Sequence, residues 1–397
     1  DACDVCGRYL KPQELKTPYC VSCGTSPEIR STKHWFFKLS AFNEYLIKWI
    51  ETNPELPANV KNYALQWLRE GLKDWCITRD MSWGVPLPLN DVNGKVIYVW
   101  FDAPLGYIST TMNWSQRLNE PSKWIEYWQN PHSRIVHFIG KDIIYHHAIF
   151  WPAMLQAHGE FSLPSTIIAG EYLTLEGKKM SKSRGWSIEI KEYLELFEPD
   201  PLRYHLVAVS PLNKDADFSW DEYLRRNNNE LADILGNFIH RTLMFTYQFF
   251  DKQVPPMSKC DETDQGMLDA IAKTKKDVES ALERFEFHQA LRSIMGLAAD
   301  GNKYLNDKQP WKTLELNRTD AMTTIKIAIQ AVHALALLLE PFLPFTAEKL
   351  WKSLKLQGDI HNQRWSYIGQ QLPVGHGIEK PQPLFRKIDA EETPRIT

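Results

Sequence analysis

The sequence predicts a mixed α/β half followed by an all-helical half, and three observations carry that division. Apolar runs at 134–139, ending at Gly140, and at 166–169 bracket a helical pattern from about residue 142 to 156. Strand, crossover helix and strand in that order predict part of a parallel sheet. From about residue 221 onward the apolar positions instead repeat at helical spacing. The third observation is at the head of the chain, where four of the six cysteines fall as two Cys-x-x-Cys pairs within 21 residues.

Taken in order, residues 1–33 predict a small, loop-rich, metal-dependent unit. Zn²⁺ takes four soft ligands in a tetrahedron, and each Cys-x-x-Cys turn supplies two thiolates, so Cys3, Cys6, Cys20 and Cys23 are the candidate ligands. Gly7 and Gly24 directly follow the pairs, as a tight knuckle turn requires. Asp1-Ala2-Cys3-Asp4 has neither the basic nor the apolar region of a signal peptide. Phe42, Tyr45, Leu46, Trp49 and Ile50 share one helix face, with Ser40 a candidate N-cap. Val60, Tyr63, Ala64, Trp67, Leu68 and Leu72 form a second stripe after a loop marked by Pro54 and Pro57. A strand is expected at 96–100 after the Asn93-Gly94 turn, and three strands are too few for a closed, doubly covered sheet. The helical half is expected as a bundle of roughly 130 residues. Its pattern runs through Leu224, Leu231, Leu235, Phe238, Thr242 and Phe245, then one long stretch at 267–307, then 325–339, where Pro341 and Pro344 end it. A tail from about 366, with Pro373, Pro381 and Pro383, is expected to run over the surface.

Composition narrows the function classes. Lys and Arg number 46 against 49 Asp and Glu, a net charge of -3, so any nucleic-acid contact must come from local patches. The most apolar stretch, 325–339, is interrupted by Lys326, Gln330 and His333, so no membrane partner is expected.

The sharpest chemical signal is Lys179-Met180-Ser181-Lys182-Ser183, set between Gly177 and Gly185. Two lysines three apart on such a loop place ammonium groups near charge that develops during phosphoryl displacement. Trp100, Ala103, Pro104 and Tyr107 make a polarizable apolar wall, to which a thioether is attracted by about 0.3–1.5 kcal/mol per sulfur–aromatic contact. His147 and Trp151, four apart, are candidates for its far side. Asn237 and Arg241 project from one helix face, a pairing suited to unstacked bases, and Trp311 after Pro310 is a candidate stacking platform.

These segments together resemble the methionyl-tRNA synthetase family of class I aminoacyl-tRNA synthetases. The lysine string matches the second class I signature. The segment from Val99 to Tyr107 resembles the methionine-pocket turn, and Gly140-Lys141-Asp142-Ile143 through His147 and Trp151 resembles the next one. The cysteine pairs followed by His34-Trp35-Phe36-Phe37 resemble the zinc-knuckle insertion, and Leu235 through Arg241 the anticodon helix. One departure is His146, where the family commonly has Phe.

The resemblance implies a partial Rossmann-like parallel sheet with a zinc-knuckle insertion and a C-terminal helical anticodon-binding bundle. It implies four segments, 1–79, 80–172, 173–234 and 235–397. It assigns Lys179 and Lys182 to catalysis, and Lys179, Ser181, Lys182 and Arg79 to ATP. Methionine falls to Trp100, Ala103, Pro104, Tyr107, Asp142, Ile143, His147 and Trp151, with Asp142 a candidate for either the amino group or the adenosine ribose. The anticodon falls to Asn237, Arg241 and Trp311. Zn²⁺ and Mg²⁺ with ATP are the implied cofactors; tRNA, ATP and methionine are the partners, in the cytoplasm. The first class I signature, a His-x-Gly-His type loop, does not occur. A further N-terminal segment of the enzyme is therefore expected as a partner, and this chain alone is expected to be incomplete in activity. Two alternatives stay open. The four cysteines share one zinc or pair with others upstream, and the chain is a ligase or a non-catalytic tRNA-binding relative.

Overall fold

The computed structural model describes residues 15–20, 22–28, 31–90, 92, 94–181, 185–210 and 215–393. The chain divides into two compact units.

The first unit comprises Asp1–Glu55, Lys61–Ile135 and Tyr145–Ser165. Its elements are β1 (Phe36–Phe37), α1 (Asn43–Thr52), α2 (Ala58–Glu70), β2 (Trp75–Cys76), β3 (Thr78–Asp80), β4 (Lys95–Ile97), α3 (Val99–Asp102), α4 (Leu105–Arg117), α5 (Ile125–Trp128) and α6 (Trp151–His158). The first turn of α2 falls in the second unit. Leu46 and Ile50 of α1 and Ala64 and Leu68 of α2 are buried as their spacing predicts, whereas Tyr63 and Trp67 flank the stripe and stay partly exposed. Ser40 is not an N-cap. It lies in a 3₁₀ turn (Leu39–Phe42) ahead of α1, and its hydroxyl donates to Asp74 at 2.6 Å. The strand expected at 96–100 is also corrected. It ends at Ile97, pairs antiparallel with β3, and the chain turns helical at Val99. A loop closing at Gly94 (φ +76°) folds β3 and β4 into a hairpin, so this strand forms no part of a parallel sheet among the described residues.

The second unit comprises Leu56–Val60, Val136–Ile144 and Thr166–Thr397. It begins with β5 (Val136–Gly140) and β6 (Thr166–Gly170), which pair in parallel with Phe138 opposite Ile168. Next come β7 (Leu173–Leu175), β8 (Lys178–Lys179), α7 (Ile190–Leu196), α8 (Pro199–Ala208) and β9 (Ala216–Phe218), with sheet order β8-β7-β9. The expected helix between β5 and β6 is broken into a 3₁₀ turn (Lys141–Ile143), a π-helical stretch (His146–Phe150) and α6.

The helices that follow are α9 (Trp220–Arg225), α10 (Asn237–Phe249), α11 (Glu262–Glu283), α12 (Phe287–Lys308), α13 (Pro310–Leu316), α14 (Arg318–Leu339) and α15 (Pro344–Ser353). A π-helical stretch, Arg226–Gly236, runs straight into α10. The single pattern expected at 267–307 is an αα-hairpin, turned at Phe285 with φ +61°. The last long helix starts at Arg318, well before residue 325, because Ala321, Thr323 and Thr324 are buried as completely as the leucines that follow. It is apolar and long enough to cross a membrane, yet 94% of its most apolar window is packed inside the bundle.

Three helix ends are tied by one cation. Lys308, at the end of α12, places its ammonium 2.7 Å from Asp261, 3.2 Å from Asp264 and 3.1 Å from Asp320. Asp261 and Asp264 form the capping box of α11, and Asp320 lies in the first turn of α14. The ammonium neutralises this acidic cluster from within.

Candidate active site and nucleic-acid interface

In the first unit the residues expected to form the apolar wall lie on α3, at the start of α4 and in the turn between them. Trp100 on α3 and Tyr107 on α4 are about 40% exposed, at 42% and 39%, so neither is sealed in the core. The Tyr107 hydroxyl and His147 Nε2 are hydrogen-bonded at 2.8 Å, which fixes one ring against the other. Burial raises the Tyr107 pKa, so the phenol stays protonated. Trp151 lies 6.3 Å from Tyr107, but it is buried among Ile108, Trp128 and Leu155. It backs the wall from behind. Ala103 is exposed and Pro104 is buried at the α4 N-cap. His146, the one departure from the family pattern, faces Trp100 at 4.7 Å inside an aromatic box with Trp75, Tyr145 and Phe150. Burial, with the neighbouring His147, lowers its pKa, so the imidazole is neutral among these rings.

Arg79 stacks on Tyr98 at 3.6 Å and donates to the carbonyls of Thr78 (2.8 Å) and Cys76 (3.3 Å). A phosphate would have to compete with these contacts. Of the cysteine pairs, Cys3 and Cys6 lie outside the described residues. Cys20 and Cys23 form a tight turn, with Gly24 (φ +72°) donating to the Cys20 carbonyl at 2.8 Å. A hydrogen bond with Thr25 is the largest influence lowering the Cys23 thiol to about 7. Thiolate is the form that binds metal.

In the second unit the lysine segment grows from the β7–β8 hairpin. Glu176 (φ +49°) and Gly177 (φ +71°) make the turn that two-residue hairpins favour. Lys179 is exposed on β8. Ser181 and Trp186 exchange backbone hydrogen bonds at 2.8 and 3.0 Å, closing the loop that carries Lys182, which lies outside the described residues. The Trp186 indole donates to the Leu175 carbonyl, and Lys178 sits over its ring at 4.5 Å. The loop therefore springs from an anchored base.

Asp142 is exposed and accepts a hydrogen bond from the Tyr172 hydroxyl. Beside it, Lys141 is clamped between Glu171 at 2.8 Å and Asp215 at 2.9 Å and lies over the Tyr172 ring. Ile143 is half-buried. Sequence reading found Asp142 but not the Lys141–Glu171–Asp215 clamp, because residues 30 and 74 positions away show no shared period.

On the bundle, Asn237 and Arg241 lie on one face of α10. The Arg241 guanidinium is 5.1 Å from the Trp311 ring, which is 44% exposed. Arg241 and Trp311 line an open cavity of about 280 Å³ with His240, Met244, Phe245 and Gln248. Asn302 and Asn306 on α12 hold the two α10 side chains, at 3.3 and 2.9 Å. They were missed, although their spacing of four repeats that of Asn237 and Arg241.

Two families cover almost the whole chain. Residues 1–243 match the family described as tRNA synthetases class I (M), and residues 254–396 match the anticodon binding domain of methionyl tRNA ligase. The chain belongs to the class I methionyl-tRNA synthetase family. The methionine–tRNA ligase of Methanopyrus kandleri is 49% identical over 392 residues, taking in 99% of this chain and 58% of its own length. That of Pyrococcus abyssi is 45% identical over 405 residues, with 99% and 55% covered. Among solved structures, Mycobacterium tuberculosis methionyl-tRNA synthetase bound by methionyl-adenylate aligns with a TM-score of 0.83 at 27% identity, covering 96% of this chain and 74% of that one. Its apo form aligns with a TM-score of 0.81 at 26% identity, with 96% and 75% covered. The chain thus spans less than two thirds of the length of these curated relatives. Its architecture is the class I tRNA synthetase fold joined to a C-terminal helical anticodon domain.

Proposed function

We propose that this chain supplies the methionine wall, the lysine loop and the anticodon reader of a cytoplasmic methionine–tRNA ligase. The observation that carries the reading is the Tyr107–His147 hydrogen bond within a half-exposed aromatic wall, in a chain of this family. In the first half-reaction the methionine carboxylate attacks the α-phosphorus of ATP. The bond to the β-phosphate oxygen breaks, leaving methionyl-adenylate and pyrophosphate. Lys179 and Lys182 stabilise the charge that gathers on the departing pyrophosphate. Trp100, Ala103, Pro104 and Tyr107 hold the thioether, His147 is kept in one orientation by Tyr107, and Trp151 stiffens the wall. Asp142, oriented by Tyr172, holds the substrate amino group or the adenosine ribose, beside Ile143. In the second half-reaction a hydroxyl of the terminal tRNA ribose attacks the acyl carbon and AMP leaves. Ser181 and Arg79 are assigned to ATP, and Mg²⁺ accompanies the nucleotide.

The parallel pair β5–β6 is assigned to a Rossmann-like sheet, and the Cys20–Cys23 turn to a zinc knuckle. The donor chemistry fits zinc: two cysteines sit on a glycine-closed turn and one thiol is shifted toward thiolate. Cys3 and Cys6 would complete the tetrahedron, and the metal would contribute folding energy.

The test is ATP–pyrophosphate exchange by the protein carrying this chain, driven by methionine, leucine or isoleucine. Methionine alone should drive it. Tyr107→Phe removes one hydrogen bond of net worth about 0.5–1.5 kcal/mol and should raise KM for methionine roughly two- to tenfold with kcat little changed. Equal exchange with leucine would sink the selectivity. Tight tRNA binding with no exchange would favour a non-catalytic tRNA-binding relative.

A further inference from the structure

Asn302 has no freedom in how its amide points. Its Nδ2 donates to the Ile234 carbonyl at 2.8 Å and to the Ala298 carbonyl at 3.3 Å, which uses both amide hydrogens. Only its Oδ1 remains for Asn237, and it accepts from Asn237 Nδ2 at 3.3 Å. The reversed orientation of Asn302 would set its oxygen against two carbonyl oxygens. Asn237 must therefore give its amino group to Asn302 and turn its carbonyl oxygen outward, where the residue is exposed. One turn further along, Asn306 Oδ1 accepts from an Arg241 terminal nitrogen at 2.9 Å. This keeps the guanidinium beside Trp311, with its other N–H groups free of Asn306. The outer face of α10 thus presents an acceptor from Asn237 next to donors from Arg241.

We propose that Asn302 and Asn306 are positioning residues that fix the polarity of the base-reading edge, so that it takes amino bases and refuses keto bases. The inference rests on the anticodon-reading role proposed above and deepens it. Cytosine and adenine carry an exocyclic N–H donor beside a ring-nitrogen acceptor, which complements this pair. Uracil and guanine carry an oxygen beside a ring N–H, which opposes it at both positions. The methionine codon AUG requires the anticodon CAU, whose first two bases are both amino bases. Neither Asn302 nor Asn306 needs to touch RNA for this to hold. Each acts through the residue it orients.

The test uses the whole chain and RNA stem-loops that differ only in the anticodon: CAU, and the keto replacements UAU and CGU. The wild-type chain should bind CAU more tightly than at least one keto loop. In Asn302→Leu the Asn237 amide can turn over, and that preference should fall about tenfold, equivalent to ~1.4 kcal/mol. Most of the change should appear as better relative binding of the keto loop. Asn306→Leu, a change at an exposed position, tests the Arg241 arm without opening the helix interface. If these leucine variants weaken all three loops by one common factor, the asparagines are merely structural and the proposal is overturned. If the wild-type chain itself shows no preference among the loops, the anticodon reading fails first.

Discussion

Replacing Lys308 with Met tests how the bundle is tied together. The Lys308 side chain is 7% exposed and its ammonium serves three carboxylates. The three partners do not suffer equally. Asp261 and Asp320 have 55% and 32% of their side chains exposed, so water takes over much of the lost attraction. Asp264 is 1% exposed and would be stranded. Breaking a buried charged pair costs about 3–5 kcal/mol. The Tyr304 hydroxyl, which donates to Asp264 at 2.7 Å, survives the substitution and puts the expectation near the lower end, about 3 kcal/mol. For a unit of this size that corresponds to roughly 6–12 °C in Tm. Thermal and urea unfolding followed by far-ultraviolet circular dichroism at pH 7 measures it. Adding Asp264→Asn should recover more than half of it. A loss below about 1 kcal/mol, or a double variant no better than the single, would refute the stranded-charge reasoning.

The sign of the pH dependence follows from the same group. Burial alone would lower the Lys308 pKa, but hydrogen bonds to Asp261, Asp320 and Asp264 outweigh it and the net shift is upward. Its contribution is therefore complete below its unfolded value and lost as pH rises through the folded one. Asp261 is held down chiefly by its bond to Lys308, so its contribution is present above the ordinary carboxylate range and lost on acidification.

Two further substitutions probe the packing. Gly301→Ala would place a Cβ 2.5 Å from the ring of fully buried Phe238, an overpacking expected to cost about 1–3 kcal/mol and to loosen α10 on α12. An unchanged Tm would count against it. Burial pushes the His205 imidazole down to about 4, and neither ring nitrogen has a hydrogen-bond partner among the described residues. Its unfolded counterpart takes a proton below pH ~6.5, so this contribution is present above that value and lost as pH falls toward 4. Between pH 6.5 and 5 the wild type should lose about 1.5 kcal/mol that His205→Phe does not, and parallel pH profiles in urea unfolding would contradict this.

The parallel pair β5–β6 was legible because two apolar runs flank a helical stretch, a pattern with few other solutions. The αα-hairpin at Phe285 was not legible. No glycine or proline marks it, and the apolar period runs through a residue in the left-handed region. The start of α14 was hidden because buried threonines there return their hydroxyls to carbonyls one turn back, at 3.0 Å for both Thr323 and Thr324, and so pack like apolar residues. Ser40 misled in the other direction, since propensity says nothing of what sits opposite, and Leu72 did so because α2 ends at Glu70, two residues short of it. Among the candidate site residues, Tyr107, His147, Asn237, Arg241 and Trp311 could be named from residue type and spacing. Their holders could not.

By itself the sequence determined the family, the order of the segments and the chemistry each could offer: thiolate pairs, a lysine loop, an aromatic wall and a basic helix face. Those depend on local spacing, which a linear string records. Only the tertiary structure decided which groups are held and in which direction. His146 faces Trp100, Tyr172 orients Asp142, Lys308 joins three helix ends, and Asn302 takes the Asn237 amino group and leaves its carbonyl oxygen outward. Each of these contacts joins residues 30 or more positions apart or, for Lys308, converges from three helices at once. Orientation of a polar group is set by the partner it meets in space, and no local period encodes that partner.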